Sequence, residues 1–250
     1  MTPLWLGLVG LVLVLVSGGA MLGLAVLRRK TPPTFREIAA FQRLQDAIGR
    51  AVEDGSRLHL SLGRGGLVSP QNASALAGLS ALRRLASLTS ASDNPPVATA
   101  GDAGLAMLSQ ETLYSAHLAS LVTTAFDPTT GRLTGLTPFS YAAGALPILS
   151  DENISASILL GNFGPEVGLL TEADERQGMF TLAASDSLSA QAILYASAEE
   201  LLIGEELFAS GAYLNAGPLH KSSLIVQDWL RWLVIVALLL GFVLKLAGVL

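Results

Sequence analysis

The chain has 250 residues, of which 51% are hydrophobic and only 14% charged, with 15 Lys and Arg against 20 Asp and Glu. Its mean hydropathy of +0.53 is too apolar for a soluble domain of average composition. The net charge of −5 excludes the basic footprint expected of a nucleic-acid binder, and the absence of cysteine leaves the redox compartment open.

Much of the apolar excess lies at the two ends. Leu4 to Leu27 runs 24 residues without a charge. At about 1.5 Å per helical residue, that length crosses a hydrocarbon core of roughly 30 Å. A cleaved signal peptide would need a basic amino end and a shorter apolar core. Met1-Thr2-Pro3-Leu4 has no basic side chain, and the charges follow the segment as Arg28, Arg29 and Lys30. Residues 4–27 therefore read as a retained transmembrane helix. Within it, Gly19-Ala20-Met21-Leu22-Gly23 is a G-x-x-x-G, which permits close helix contact in lipid.

Thr31-Pro32-Pro33 reads as a stiff linker, and Thr34 with Glu37 forms a T-x-x-E capping box that predicts a helix start. In that helix Phe41, Leu44, Ile48 and Val52 make one stripe, opposite Arg36, Arg43 and Arg50, with an end near Gly55. Arg57 to Leu62 alternates as a strand does. Gly63-Arg64-Gly65-Gly66 follows, and Ser69-Pro70 opens a helix over about 70–90. Pro96 to Ala100 reads as a short strand, 102–121 as a third helix, and Asp127 to Gly131 as a turn. Ile154 to Gly161 is a predicted buried strand, and Pro165 begins a helix to about Gln177. Met179 to Ala184 is a strand and Ile193 to Ala196 a further one. Ser197 and Glu200 form a second capping box, predicting a helix through Leu201, Phe208 and Tyr213. Strands alternating with helices imply right-handed crossovers and a mostly parallel sheet, so the fold class is α/β, Rossmann-like in a loose sense.

Near the other end Trp229 and Trp232 precede the apolar run Leu233 to Leu244, and Lys245 is placed to reach headgroups. Residues 229–250 read as a second transmembrane helix. Arg28, Arg29 and Lys30 follow the first span, and Lys221 and Arg231 precede the second, so both flanks of the central domain, residues 31–227, are basic. Basic flanks stay cytoplasmic. The expectation is a two-span protein of an inner membrane with its central domain in the cytoplasm and both termini outside.

No catalytic residue, metal site or cofactor is indicated. His59, His117 and His220 lie far apart with no i, i+4 pair, and no G-x-S-x-G elbow supports a triad. Two glycine turns remain. Gly63, Arg64, Gly65 and Gly66 stand between strand and helix, where backbone amides can hold an anion. Val68 replaces the third glycine of G-x-G-x-x-G, and there is no P-loop lysine. Gly161-Asn162-Phe163-Gly164-Pro165-Glu166 occupies the equivalent place later in the chain, with Gly161, Asn162 and Gly164 as candidate contacts and Glu166 disposed to repel phosphate. Both turns also read as plain tight turns. Glu199, Glu200, Glu205 and Glu206 are expected as an acidic cluster on one helix.

The segment Gly161 to Glu166, Ile203 to Leu214, Gln227 to Arg231 before the second span and Phe35 to Gly66 after the first together resemble an uncharacterised family of bacterial membrane proteins. The resemblance implies the architecture of two terminal spans around an α/β domain, and no activity. The small, charge-poor helices and the G-x-x-x-G favour a homo-oligomeric, membrane-anchored organising protein. The alternative is a membrane-tethered module that binds a small anion or nucleotide. The expected partners are the lipid bilayer and further copies of the chain.

Overall fold

Along strand β1 (Arg57–Gly63), Leu58, Leu60 and Leu62 alternate with His59 and Ser61, and both sets are buried, because β1 lies inside a sheet covered by helices on both faces. The structure is a computed structural model that describes residues 2–248 except 30, 32, 70, 71, 90, 91, 93 and 121–124. Among them the remaining strands are β2 (Val97–Ala100), β3 (Gly131–Leu133), β4 (Ile154–Asn162), β5 (Phe180–Ser185) and β6 (Glu200–Leu201). Their order is β3-β2-β1-β4-β5-β6, and every pairing is parallel.

The helices are α1 (Thr2–Leu27), α2 (Ala39–Asp54), α3 (Asn72–Leu88), α4 (Ala103–Ala119), α5 (Pro138–Asp151), α6 (Val167–Arg176), α7 (Leu188–Ser197), α8 (Glu206–Tyr213) and α9 (Pro218–Leu246). The chain divides into two units, Met1–Phe35 with Gly217–Leu250, and Arg36–Ala216. In the first, α1 packs along α9, and both are long and apolar enough to cross a membrane.

In the second unit, the even-numbered side chains of β1 meet α2, α3, α4 and α8 in a wholly apolar layer that includes Leu44, Leu60, Leu82, Leu105, Ile158 and Leu207. Burial of each such leucine contributes about 1.5–3 kcal/mol. The opposite face is covered by α5, α6 and α7, with Tyr141, Leu149, Leu159, Phe163, Leu170 and Leu194. Helices that follow β1 and β2 therefore lie on one face and those that follow β4 and β5 on the other. Gly78 sets the closest approach of α3: a Cβ there would strike the Leu160 carbonyl and come within 2.7 Å of Leu62 Cδ2.

The parallel α/β class is as the alternation of elements implies, and several local expectations are corrected. Helix α2 starts at Ala39 behind Ile38, so the Thr34/Glu37 box caps nothing and Arg36 lies outside the helix. Ile193 to Ala196 belongs to α7, because its apolar side chains serve a helix face that buries Ala190 and Leu194. Glu200 and Leu201 form edge strand β6, which removes the Ser197/Glu200 capping box. The four glutamates accordingly do not share a helix; only Glu206 is in α8. The turn at Asp127 is a short 3-10 segment leading into β3, and α5, with Pro147 inside it, went unanticipated. Helix α9 begins at Pro218 and includes His220.

Candidate functional site

Strand order reverses once, between β1 and β4: the chain moves from β1 outward to β2 and β3, then returns to β4 and leaves in the other direction. In an open α/β sheet the carboxyl ends of strands at such a switch diverge to opposite faces and leave a crevice where ligands bind. The two glycine turns found in the sequence are the turns at this switch. Gly63 ends β1, Asn162 ends β4, and the two are register partners.

The backbones there are drawn tightly together. Arg64 N–H donates to the Asn162 carbonyl at 2.8 Å, and Gly101 N–H, after β2, donates to the Gly63 carbonyl at 2.8 Å. Gly63 has φ +69°, a left-handed conformation that favours glycine, and a Cβ there would strike the Asn162 carbonyl. Gly161 is equally constrained, since its Cβ would meet the Leu62 carbonyl. At Gly101 a Cβ would collide with Arg64 Cγ at 2.5 Å, so the Arg64 side chain lies over the end of β2 before reaching across to β4. There its Nε donates to Glu166 Oε1 at 2.8 Å.

Glu166 is 3% exposed. Its Oε1 also accepts from Gly164 N–H at 3.0 Å, while Oε2 is buried without a hydrogen-bond partner among the described residues. Asn162 donates from Nδ2 to Asp186 Oδ1 at 2.7 Å, holding the end of β5 to the same edge. Asp102, which follows β2, accepts from Leu105 N–H through Oδ1 at 2.9 Å and so caps α4. Its Oδ2 would lie 3.3 Å from a Cβ on Gly66. Arg64, Gly66, Asn162 and Gly164 are thus brought together at the carboxyl edge. Asp102 and Asp186 were missed in the sequence; the available signal was a carboxylate two residues after each predicted strand, which reads equally well as a helix cap.

Beneath this edge runs a buried polar layer on the α5–α7 face of the sheet. Tyr141 OH hydrogen-bonds Ser61 and lies 3.4 Å from Thr99 Oγ1. His59 bridges Thr99 through Nε2 at 2.9 Å and Ser157 through Nδ1 at 3.2 Å. Thr181 donates to Asp174 Oδ2 at 3.3 Å, and Asp174 Oδ1 is a second buried oxygen without a hydrogen-bond partner among the described residues. Burial, with the Arg132 charge adding, pushes the His59 imidazole down to about 3, so the ring is neutral. Burial likewise pushes the Asp174 carboxyl up to about 7, the Ser157 and Thr181 hydroxyls offsetting part of the effect. The Tyr141 phenol is raised by burial as well.

Two surface cavities lie elsewhere in this unit. One of about 510 Å³ is lined by Ile48, Val52, Arg84 and Leu214, and one of about 400 Å³ by Thr171, Met179, Thr181 and Ser197. No group of three or more His, Cys, Asp or Glu that could hold a metal occurs among the described residues.

Of the residues singled out for the membrane, Gly19 and Gly23 are exposed on α1, and a Cβ on either would meet nothing within 4 Å. Arg28 and Arg29 follow α1, while Lys30 lies outside the described residues. Trp229 and Trp232 are 54% and 65% exposed on α9, Arg231 pairs with Asp228 at 3.1 Å, and Lys245 is in the last turn.

Neither the curated proteins nor the solved structures give a match to this chain. A family match does cover residues 5–250, taking in both apolar helices and the whole sheet, and the chain therefore belongs to the family described as domain of unknown function DUF6754.

Proposed function

We propose that the α/β unit is a regulatory module that binds a small ligand in the β1/β4 crevice and is tethered to an inner membrane by α1 and α9. One observation carries the reading: two glycine turns distant in sequence meet at the reversal of strand order, beside a buried glutamate oxygen that no described residue satisfies. The basic residues Arg28, Arg29 and Lys221 support a cytoplasmic location for the segment between the spans. Arg64 and Glu166 close the crevice, and a ligand would enter by exchanging its own polar groups for part of their contacts. The reading rests on the site and not on sheet order alone, since one fold hosts many functions.

The test is a thermal-shift panel of nucleotides, nucleosides, sugars and amino acids on the full chain in mild detergent. A ligand at one hundred times its dissociation constant stabilises by about 2.7 kcal/mol. Stabilisation by a panel member, lost on altering the Gly63 to Gly66 turn, supports the proposal; no stabilisation by any member contradicts it.

A second reading, a homo-oligomeric organiser, is favoured by the exposed Gly19/Gly23 face of α1 and by exposed apolar side chains on α4 and α5, Met107 at 70% and Phe139 at 74%. Native mass spectrometry in mild detergent tests it, and a clean monomer rules it out.

A further inference from the structure

Four neighbouring strand ends deliver charged side chains to the crevice edge: Asp102 after β2, Arg64 after β1, Glu166 after β4 and Asp186 after β5. Carboxylates outnumber the guanidinium by three to one, and the guanidinium is already paired with Glu166 at 2.8 Å. Asp102 Oδ2 stands beside the glycine turn that a pyrophosphate would need, so a bound phosphate would meet a like charge there. The backbone amide geometry invites an anion, and the side chains oppose one.

What the side chains lack is a donor. Asp102 uses Oδ1 to cap α4, and its Oδ2 makes no hydrogen bond among the described residues. Glu166 Oε2 is buried with none. Gly164 keeps the space at that oxygen free, because a Cβ on Gly164 would fall on it. Glu166 Oε2, buried beside Gly164, and Asp102 Oδ2, on a half-buried side chain beside Gly66, are therefore acceptors to which no described residue donates. A neutral ligand can present two donors side by side as vicinal hydroxyls, and carboxylates make charge-assisted hydrogen bonds with them.

Resting on the ligand-binding reading above, we infer that the crevice takes a ligand bearing a vicinal diol and no phosphate, with Asp102 and Glu166 as the acceptors. The diol can belong to the ribose of a nucleoside or to a free sugar. The Asp102 and Glu166 oxygens select the hydroxyls, and the excess of carboxylates disfavours phosphorylated forms of the same compound.

Isothermal titration of the full chain in mild detergent with adenosine, D-ribose, 2′,3′-dideoxyadenosine and adenosine diphosphate tests this. Binding of adenosine with a ten- to hundred-fold loss for the dideoxy compound is expected from removal of charge-assisted hydrogen bonds. Adenosine diphosphate is expected to bind more weakly than adenosine. Ribose binding as tightly as adenosine identifies a sugar as the source, and ribose failing where adenosine binds identifies a nucleoside. Tighter binding of the diphosphate, or equal binding of the dideoxy compound, overturns the inference while leaving a ligand site in place. No binding by any of the four overturns it as well, and the broader panel then decides separately whether the crevice binds anything. Asp102→Ser retains a good helix cap and is expected to weaken diol binding ten- to hundred-fold with little change in melting temperature; unchanged affinity contradicts the role of Asp102.

Discussion

Replacing Asp174 with Asn is expected to uncover an opposite titration at His59. Asp174 has a carboxyl pushed up from 3.8 to about 7, so between those values the folded protein holds a proton that the unfolded chain has released. Stability then falls as pH rises, by about 1.36 kcal/mol per unit. His59 is pushed down from 6.5 to about 3, so between those values the unfolded chain holds a proton that the folded protein does not, and stability rises with pH by the same slope. The windows overlap from about pH 4 to 6.5, and there the two contributions cancel. Asp174→Asn keeps the size of the side chain, removes the falling contribution and leaves the rising one, worth about 3–4 kcal/mol across the overlap. For a domain of this size that corresponds to a melting-temperature change on the order of 10 °C. The assay is the melting temperature of wild type and variant in mild detergent at pH 4, 5, 6 and 7. The difference, variant minus wild type, should grow steadily with pH, which cancels contributions from other carboxylates. A difference that stays constant over this range refutes the burial argument for Asp174, and His59→Asn should show the inverse trend.

Further outcomes follow from the packing and charge pairing. Arg64→Ala leaves Glu166, whose side chain is 1% exposed, without its counter-charge, and is expected to cost about 3 kcal/mol by thermal or chemical unfolding. Adding Glu166→Gln should recover most of that loss, whereas additive losses would show that the ion pair is not coupled. Gly78→Ala should destabilise by about 1–3 kcal/mol through overpacking of α3 on β4; a neutral result would mean that the helix can shift away. The full chain should remain in the membrane fraction after alkaline carbonate extraction, and release into the supernatant would contradict spanning by α1 and α9.

The two candidate spans and the α/β class were legible because their signals are local: unbroken apolar runs near the ends, and strands alternating with helices between them. Strand β1 shows where local reading stops. Its pattern of Leu58, Leu60 and Leu62 against His59 and Ser61 is that of a half-wet strand, yet the polar side is buried: His59 bonds Thr99 and Ser157 on the neighbouring strands, and the crossover through the unanticipated α5 supplies Tyr141 as the partner of Ser61. Glu200 was misread for a related reason. A capping box and a two-residue edge strand share the same residues, and the pairing with Leu182 that decides between them is distant in sequence. The turns at Gly63 and Gly161 were visible as turns, while their meeting at the switch point depends on strand order, which no segment of the sequence encodes alone. Asp102 escaped notice because one of its oxygens does cap α4.

Hydrogen–deuterium exchange of the full chain, with and without millimolar members of the nucleoside, nucleotide, sugar and amino-acid panel, tests the ligand-binding proposal most directly. The account predicts that at least one compound slows exchange in peptides covering both Leu62 to Leu67 and Gly161 to Gly168, which meet only in the folded sheet. Protection confined to the cavity between α2 and α3, or no protection by any compound, would contradict a ligand site at the β1/β4 crevice.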